Sequence, residues 1–387
     1  MTKSLLPSGC YDLLPPTARQ ESELSHTLLS VFESFGYEQV SPPLLEYSDS
    51  LLAGRGNSFS SQIFRVMDPT AHKVMGIRAD ITLQISRIAM TRLSHAPRPL
   101  RLCYNGLILR MQGEQLKKDR QLNQTGIELI GAATPEADAE VILVAAEALN
   151  KAGITNISID LNLPGIVGAL LVAEKLDEAQ LQAIMNAVAH KNVSTISSMS
   201  FSYRDTLIAL MQSAGVAETA LDSIERLDLP DNARQECANL RQVVKILRQH
   251  NKHEKNSDWT ITIDATENRG AGYHSGISFS IFVAGVACEV GCGGRYKIQG
   301  ETPKNDSEAT GFTLYLETLL DILPRARRGK RILISGGIND NNAAKLCEDG
   351  FVVIYALSEY GNCKNEANRL GCGWIYKDGE IIELLDN

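Results

Sequence analysis

The sequence predicts an α+β fold, in which an antiparallel sheet with helices is interrupted by a helical insertion and followed by a small α/β unit. Two extended stretches, residues 100–111 and 120–130, flank a polar connection, as in an antiparallel strand pair. Residues 166–250 lack an extended run and repeat Met, Leu and Ala at helical spacing. Residues 331–387 contain two strand-like segments separated by a short helix.

These shifts in pattern predict the domain organisation. We expect a core over residues 1–323, interrupted by the insertion at 166–250, and a small α/β domain over 324–387. The chain has 387 residues, of which 44% are hydrophobic and 22% charged. This is ordinary globular usage, so disorder and collagen-like repetition are excluded.

Charge and hydropathy exclude some partners. The formal charge of −8 gives no general attraction to nucleic acid or to anionic membranes. No apolar run approaches the roughly 18 residues that a membrane span needs, and the first residues lack a basic flank followed by an apolar stretch. The sequence therefore predicts a cytoplasmic protein.

The first elements are two helices separated by a proline-rich stretch. Thr17 and Gln20 form a capping-box pattern ahead of apolar residues at helical spacing, which predicts a helix that ends near Gly36. Residues 41–46 carry two prolines and cannot continue it. Asp80 then precedes a second helical pattern, in which it is either the N-cap alone or also offers an oxygen to a bound cation beside Thr82.

Strands dominate the sequence on either side of the helical insertion. Thr134 and Pro135 predict the start of a helix that ends at Gly153. Strands are then predicted over 155–163, 259–264 and 277–283, with a glycine cluster at 291–296 and an apolar helix over about 309–323.

The strand over 120–130 is the first candidate for a binding site. With a period of two, Arg120, Leu122, Gln124, Gly126 and Glu128 share one face, so an amide and a carboxylate lie about 13 Å apart. A small ligand with a donor at each end could lie over the glycine between them. A solvated strand face is the alternative explanation.

Other candidates have equally plain explanations. Arg110, at the end of a strand, is either an edge residue or a clamp for a carboxylate or phosphate. The chain has no phosphate-binding loop and no dinucleotide fingerprint. Cys288 and Cys292 have no further Cys pair or His at ligand spacing. We therefore expect no metal and no cofactor.

Taken together, the motifs resemble a histidyl-tRNA synthetase in order and spacing over roughly residues 5–323. The resemblance implies a class II aminoacyl-tRNA synthetase-like antiparallel sheet with a helical insertion. The residues that carry it are Gly9–Pro15, Gly36-Tyr37, Pro43–Glu46, Ile77–Thr82, Leu109–Gln112, Arg120–Glu128, Arg269–His274, Gly293–Tyr296 and Gly311-Phe312.

Three residues depart from the synthetase pattern on the nucleotide side. Gln112 stands where synthetases carry a glutamate that faces adenine, Thr318 where an arginine covers the nucleotide, and Tyr315 where the helix has a small glycine. A threonine hydroxyl replaces neither the charge nor the planar stacking of an arginine. The C-terminal unit is also shorter than an anticodon-binding domain, so tRNA charging is not expected.

The histidine side of the pattern is largely present. By resemblance, Asp80, Thr82 and Gln124 hold the α-ammonium group, Arg269 the carboxylate, and Glu128 with Tyr273 the imidazole. Arg110 completes the expected histidine-binding set, together with His274, which replaces the second tyrosine of the family pattern. A carboxylate that faces the imidazole favours its protonated form and disfavours apolar analogues. No residue is assigned a catalytic role.

This combination resembles the regulatory subunits of ATP phosphoribosyltransferase. The family implies a non-catalytic chain that activates the short catalytic subunit in a hetero-oligomer, mediates feedback inhibition by free histidine in histidine biosynthesis, and has a homodimeric core around residues 43–46. Two alternatives stay open. The first is an active histidine-tRNA ligase with atypical motifs, and the second is a stand-alone histidine-binding module.

Overall fold

A computed structural model provides the structure of the chain. It describes residues 6–52, 60–113, 119–172, 174, 176–253, 259–267, 272–300, 306–325, 329–336, 342–357 and 363–384. Statements about structure below refer to these residues.

The described residues form both helices and strands. The helices, in chain order, are α1 (Thr17–Ser34), α2 (Ser48–Leu52), α3 (Thr82–Met90), α4 (Pro135–Lys151), α5 (Ile166–Leu171), α6 (Glu178–Ala189), α7 (Val193–Ser197), α8 (Arg204–Gln212), α9 (Ala217–Ile224), α10 (Asp231–His253), α11 (Leu316–Ile322), α12 (Ala343–Glu348) and α13 (Cys363–Arg369). The strands are β1 (Glu38–Gln39), β2 (Leu45–Tyr47), β3 (Phe64–Asp68), β4 (Lys73–Ile77), β5 (Leu100–Leu109), β6 (Gln121–Ile130), β7 (Ile157–Asn162), β8 (Gly215–Val216), β9 (Trp259–Ile263), β10 (His274–Val283), β11 (Gly291–Ile298), β12 (Ser307–Tyr315), β13 (Arg331–Ile334), β14 (Val352–Tyr355), β15 (Trp374–Lys377) and β16 (Glu380–Glu383).

A nine-stranded sheet organises the larger part of the chain. Its strand order is β1-β5-β6-β12-β11-β10-β7-β9-β8. The central pairs from β5 to β7 are antiparallel, and only the β1-β5 and β7-β9 pairs are parallel. This arrangement confirms the predicted antiparallel sheet. A separate three-stranded antiparallel sheet has the order β2-β4-β3.

The two faces of the large sheet bury different cores. Ile127 and Leu129 of β6 belong to the larger core, together with the apolar faces of α1 and α4. Leu122 and Ile130 belong to a second core that includes Ile85 of α3. Because side chains alternate along a strand, Gln124 and Glu128 face the side of the sheet on which α3 lies.

Several predicted elements are confirmed. The helix expected after the two prolines is α1, and the strand pair is β5 and β6. Thr134 caps α4, since its side chain accepts a hydrogen bond from the backbone N–H of Ala137, and Pro135 occupies the first turn. Gly153, just beyond this helix, has φ +83°, a conformation that favours glycine.

The helix predicted over 309–323 is wrong in its first half. Residues up to Tyr315 form β12, and only Leu316–Ile322 are helical. β12 pairs with β6 on one side and β11 on the other, and its residues 309–314 are buried. A buried strand reads as a continuous apolar run, and periodicity alone does not separate such a run from a helix. The glycine cluster that precedes it lies in strand β11.

The stretch predicted as a helical insertion contains α5 to α10. The expectation that it lacks extended structure is wrong at one point, where Gly215–Val216 forms β8 and pairs with β9 at the sheet edge. The last helix of the segment, α10, runs to His253.

The C-terminal residues form a sheet of their own. β13 lies between the parallel strands β14 and β15, and β16 adds an antiparallel edge. The two strands that the sequence predicted in this region are β13 and β14, whereas β15, β16 and α13 were not predicted.

The chain divides into two compact units. One contains Arg19–Leu323 with the segment that ends at Leu13, and the other contains Pro324–Asn387 with Leu14–Ala18. No helix in the described part of the chain is long and apolar enough to cross a lipid bilayer.

Candidate functional site

A cavity of about 190 Å³ opens on the α3 side of the large sheet. Most of its wall comes from three neighbouring strands, β6, β12 and β11, and the rest comes from the start of α3 and the start of β10. The described residues that line it are Asp80, Thr82, Glu128, Tyr273, His274, Cys292, Gly293, Gly294, Tyr296, Gly311, Phe312, Thr313 and Tyr315.

Glu128 is the buried carboxylate of this cavity, with 2% of its surface exposed. Its Oε2 accepts a 2.9 Å hydrogen bond from the hydroxyl of Tyr296. Burial, and next the charge of Glu128, raise the pKa of Tyr296 well above its usual value, so the hydroxyl keeps the proton that it donates. The tyrosine thereby fixes one edge of the carboxylate.

A glycine makes room for this carboxylate. Gly311 of β12 lies directly across from Glu128 of β6. A Cβ atom at Gly311 would overlap Glu128 Oε2 and lie 2.5 Å from its Cδ. The side chain of Glu128 therefore occupies the space that any larger residue at position 311 would fill.

The space over Gly126 is filled by the protein, so the expectation that a ligand lies over this glycine is wrong. Tyr104 of β5 pairs with Gly126, and a Cβ atom there would lie 2.7 Å from the Tyr104 hydroxyl. Tyr104 is fully buried, and its hydroxyl lies 2.8 Å from Thr313 Oγ1. Sequence reasoning missed Tyr104, although the strand register would have placed it opposite the glycine.

Gln124 positions its neighbours rather than opening into the cavity. Its side chain is fully buried, and its Oε1 accepts from the backbone N–H of Ile81 at 2.9 Å. Its Nε2 donates to Asp80 Oδ2 at 3.1 Å and to Thr313 Oγ1 at 2.9 Å. Both amide protons are thus used within the protein, and the contact that remains for a ligand is the carboxylate of Asp80.

Asp80 and Thr82 form the end of the cavity at α3. Asp80 Oδ1 accepts from the backbone N–H of Thr82 at 2.9 Å, although the helix begins one residue later than predicted and its N-cap is Ile81. The Thr82 hydroxyl lies 3.5 Å from that of Tyr104. Two carboxylates, those of Asp80 and Glu128, therefore line the same cavity.

An aromatic group forms another part of the wall. The ring of Tyr273 stacks on Tyr296 at 5.1 Å between centroids and meets the edge of His274 at 5.1 Å. His274 Nδ1 lies 3.2 Å from the carbonyl oxygen of Arg295, which orients the imidazole. Arg269, the predicted carboxylate ligand, lies outside the described residues.

Arg110 reaches the cavity through another side chain. Its Nη2 donates to the hydroxyl of Tyr315 at 2.7 Å, and its Nε donates to the carbonyl of Ala79 at 3.4 Å. Tyr315 lines the cavity, whereas Arg110 is not among the described lining residues. The structure therefore places six of the eight predicted binding residues at or directly beside the cavity wall, with Arg110 behind it.

Of the three residues that depart from the synthetase pattern on the nucleotide side, Tyr315 lines the cavity and the other two lie elsewhere. Gln112 is exposed just beyond β5, and Thr318 is buried in α11 with 3% exposure. Neither is among the described residues of the cavity wall.

The composition of the wall determines which ligands suit it. Its described residues include two carboxylates and neither lysine nor arginine. The cavity is smaller than the roughly 300 to 1,000 Å³ of sites that hold drug-sized ligands. A small cation with two separated donors fits this chemistry, and a polyphosphate does not.

Comparisons with known proteins agree on one group. The family model described as histidyl-tRNA synthetase matches residues 9–319. A protein of Rhodospirillum centenum named ATP phosphoribosyltransferase regulatory subunit is 39% identical over 383 residues, covering 99% of this chain and 97% of its own length.

Solved structures show the same fold. A crystal structure of an ATP phosphoribosyltransferase regulatory subunit/histidyl-tRNA synthetase from Bacillus halodurans has a TM-score of 0.81 at 22% identity and covers 95% of this chain and 97% of that chain. A chain from the ATP phosphoribosyl transferase (HisG:HisZ) complex of Thermotoga maritima has a TM-score of 0.58 at 18% identity, covering 76% of this chain and 97% of that one. The predicted class II synthetase-like fold is confirmed.

Proposed function

The chain belongs to the family of ATP phosphoribosyltransferase regulatory subunits, which share the histidyl-tRNA synthetase core, and on that premise we propose that free histidine binds the cavity between β6 and α3 and inhibits the enzyme complex from there. As a regulatory subunit, the chain carries no chemistry of its own. It activates the short catalytic subunit, which performs the first step of histidine biosynthesis. We propose that the complex works in the cytoplasm and that no tRNA is bound.

The observation that carries the proposal is the pair of carboxylates, the half-buried Asp80 and the buried Glu128, in a cavity without a described lysine or arginine. Histidine carries an α-ammonium group and, at its other end, an imidazole ring whose N–H groups donate hydrogen bonds and which can be protonated near neutral pH. We propose that Asp80 and Thr82 receive the ammonium group, with Gln124 holding Asp80 in place. Glu128 then accepts a hydrogen bond from the imidazole.

The remaining contacts complete the proposed site. Tyr273 and His274 enclose the imidazole, and Arg269 pairs with the carboxylate. Arg110 supports this end of the site from behind the wall, through Tyr315. Histidine can inhibit only by preferring one conformation of the complex, and a coupling of about 1 to 3 kcal/mol is ordinary for such regulation.

We also propose that two copies of the chain pair through the three-stranded sheet. This sheet and the segment before it expose apolar side chains that a second copy would cover. They are Leu44, Tyr47, Val66, Met67 and Val74, each with at least 41% of its surface exposed. Exposed apolar patches of this kind mark association surfaces in soluble proteins.

Reconstitution with a short ATP phosphoribosyltransferase catalytic subunit tests the proposed function. Adding the chain should raise the rate of the catalytic subunit, and histidine should then lower it. Phenylalanine should have no effect, because an apolar ring leaves the buried Glu128 without its ligand proton. The catalytic subunit alone serves as the control for direct inhibition by histidine.

Two results would contradict the proposal. If histidine did not lower the activity of the reconstituted complex, histidine would not be the inhibitory ligand of the cavity. Histidine-dependent ATP–pyrophosphate exchange by the isolated chain would make it an active synthetase instead.

A further inference from the structure

A buried ion pair lies behind the cavity, between the large sheet and α4. Arg295 of β11 donates to both carboxylate oxygens of Asp138 in α4, from Nε to Oδ1 at 3.2 Å and from Nη2 to Oδ2 at 2.6 Å. Nη2 also donates to the carbonyl oxygen of Thr134, the N-cap of the same helix, at 2.7 Å. Arg295 is 9% exposed and Asp138 is 3% exposed. The guanidinium is therefore fixed in position and orientation against the first turn of α4.

The same arginine reaches the cavity through its backbone. Its carbonyl oxygen lies 3.2 Å from His274 Nδ1. The next residue, Tyr296, lines the cavity, donates its hydroxyl proton to Glu128 and stacks on Tyr273. A rotation of β11 at Arg295 would therefore displace two side chains of the cavity wall, those of His274 and Tyr296.

Strand pairing restrains β11 less at this point than elsewhere. β10 pairs with β11 where His274 faces Tyr296 and again where Ser278 faces Gly294, and the register shifts between these two pairs. Residues 275–277 of β10 therefore stand opposite Arg295 alone. A bulge of this kind locally disrupts the ladder of hydrogen bonds between two strands. The ion pair thus acts at the point where pairing with β10 is interrupted.

The chemistry of the pair indicates orientation rather than stability as its main contribution. Burial, the largest cause, raises the pKa of the Asp138 carboxyl group, and Arg295 counteracts this effect. A buried ion pair can often be replaced by apolar residues of similar size without loss of stability. Apolar side chains do not reproduce the fixed directions of the hydrogen bonds from a planar guanidinium.

We propose that Arg295 and Asp138 are positioning residues for the histidine cavity. The pair fixes the orientation of β11 beside the bulge, and this aligns both the carbonyl oxygen that orients His274 and the ring of Tyr296. The inference rests on the proposed histidine site, to which it adds the contact that holds the aromatic wall in place. Neither residue of the pair is among the described residues of that wall, so both act through β11.

An apolar replacement of the pair separates positioning from stability. Arg295→Met combined with Asp138→Leu removes both buried charges together, so the denaturant midpoint should equal or exceed that of wild type. Calorimetric titration of the purified chain should nevertheless show a loss of histidine affinity of about 3- to 10-fold, the size expected for one lost hydrogen bond. A contact that only stabilises the fold would leave the affinity unchanged in this double variant.

Arg295→Lys decides the question if the double variant does not fold or is less stable than wild type. A lysine keeps the charge but lacks the two donors held in one plane. Histidine affinity should therefore fall by about threefold, at the lower end of the range for one hydrogen bond.

Another ion pair between the large sheet and α4 provides the matched control. Arg101 of β5 donates to both carboxylate oxygens of Glu140, at 2.7 Å each. Arg101→Met combined with Glu140→Gln removes this pair but keeps an acceptor for the Tyr37 hydroxyl. Histidine affinity should stay at the wild-type value, because β5 contributes none of the described residues of the cavity wall.

The outcomes separate this inference from the proposed function. If wild type does not bind histidine, the proposed histidine site itself fails. If wild type binds histidine and the folded double variant, or Arg295→Lys in its place, binds it as tightly, only the positioning role is overturned. An equal loss of affinity in the control would also overturn that role, because any weakening of the contact with α4 would then have the same effect.

Discussion

Replacing Glu128 by glutamine should weaken histidine inhibition of the reconstituted enzyme and shift the inhibition curve to higher histidine concentration. The substitution keeps the size of the side chain but removes its charge, and hydrogen bonds to charged groups contribute about 1.5 to 3 kcal/mol. We therefore expect histidine affinity to fall by about 10- to 150-fold. Glu128→Ala should weaken inhibition further, because the hydroxyl of Tyr296 also loses its acceptor.

The Glu128→Gln chain should activate the catalytic subunit about as well as wild type does, since Glu128 is buried and does not form part of the outer surface that a partner could contact. Glu178→Gln, at an exposed glutamate of α6, is the matched control and should change neither property. The measurement is the inhibition curve at a fixed ratio of the two subunits. If Glu128→Gln abolished activation while the chain remained folded, the cavity would belong to the activating interface instead.

Gly311→Ala should disrupt both the binding site and the sheet. The new methyl group would overlap Glu128 Oε2 and the backbone oxygen of Ile127, and neither atom is the end of a flexible surface chain. Overpacking of this kind costs about 1 to 3 kcal/mol of folding free energy. Histidine binding should be lost as well, because Glu128 must leave its position.

Gly168→Ala is the matched control for this prediction. Gly168 lies in α5, and no heavy atom is within 4 Å of the position that its Cβ would take. An alanine at this exposed position of a helix should be neutral or stabilise the fold by up to about 1 kcal/mol. Denaturant unfolding of both variants gives their free energies of unfolding, and a histidine titration gives their affinities for histidine. A Gly311→Ala chain as stable as wild type, with unchanged histidine affinity, would contradict our account of the carboxylate.

The fold was predictable where local pattern and pairing agree. Strand alternation placed Gln124 and Glu128 on one face of the sheet. The structure confirms this, with Glu128 in the cavity wall and Gln124 beside it, bonded to Asp80. The helix assigned to 309–323 was wrong in its first half, because a strand that is buried between two neighbours lacks the alternation of buried and exposed residues that marks a strand. Its glycine, Gly311, was the available signal, since glycine is unfavourable in a helix interior and marks close approach in a strand.

The site was less predictable than the fold, for a physical reason. Spacing along one strand identified the acceptors but could not show what fills the space between them, because that depends on the register of the neighbouring strand. Tyr104 occupies the space over Gly126, and Tyr315 covers Arg110 from the opposite end of β12. Both contacts join residues about 20 to 200 positions apart, which periodicity does not report.

Calorimetric titration of the isolated chain with histidine and, separately, with ATP tests the central claim most directly. We expect saturable binding of histidine at one site per chain and no binding of ATP over the same range of concentration. Tight uptake of ATP with no response to histidine would contradict the account.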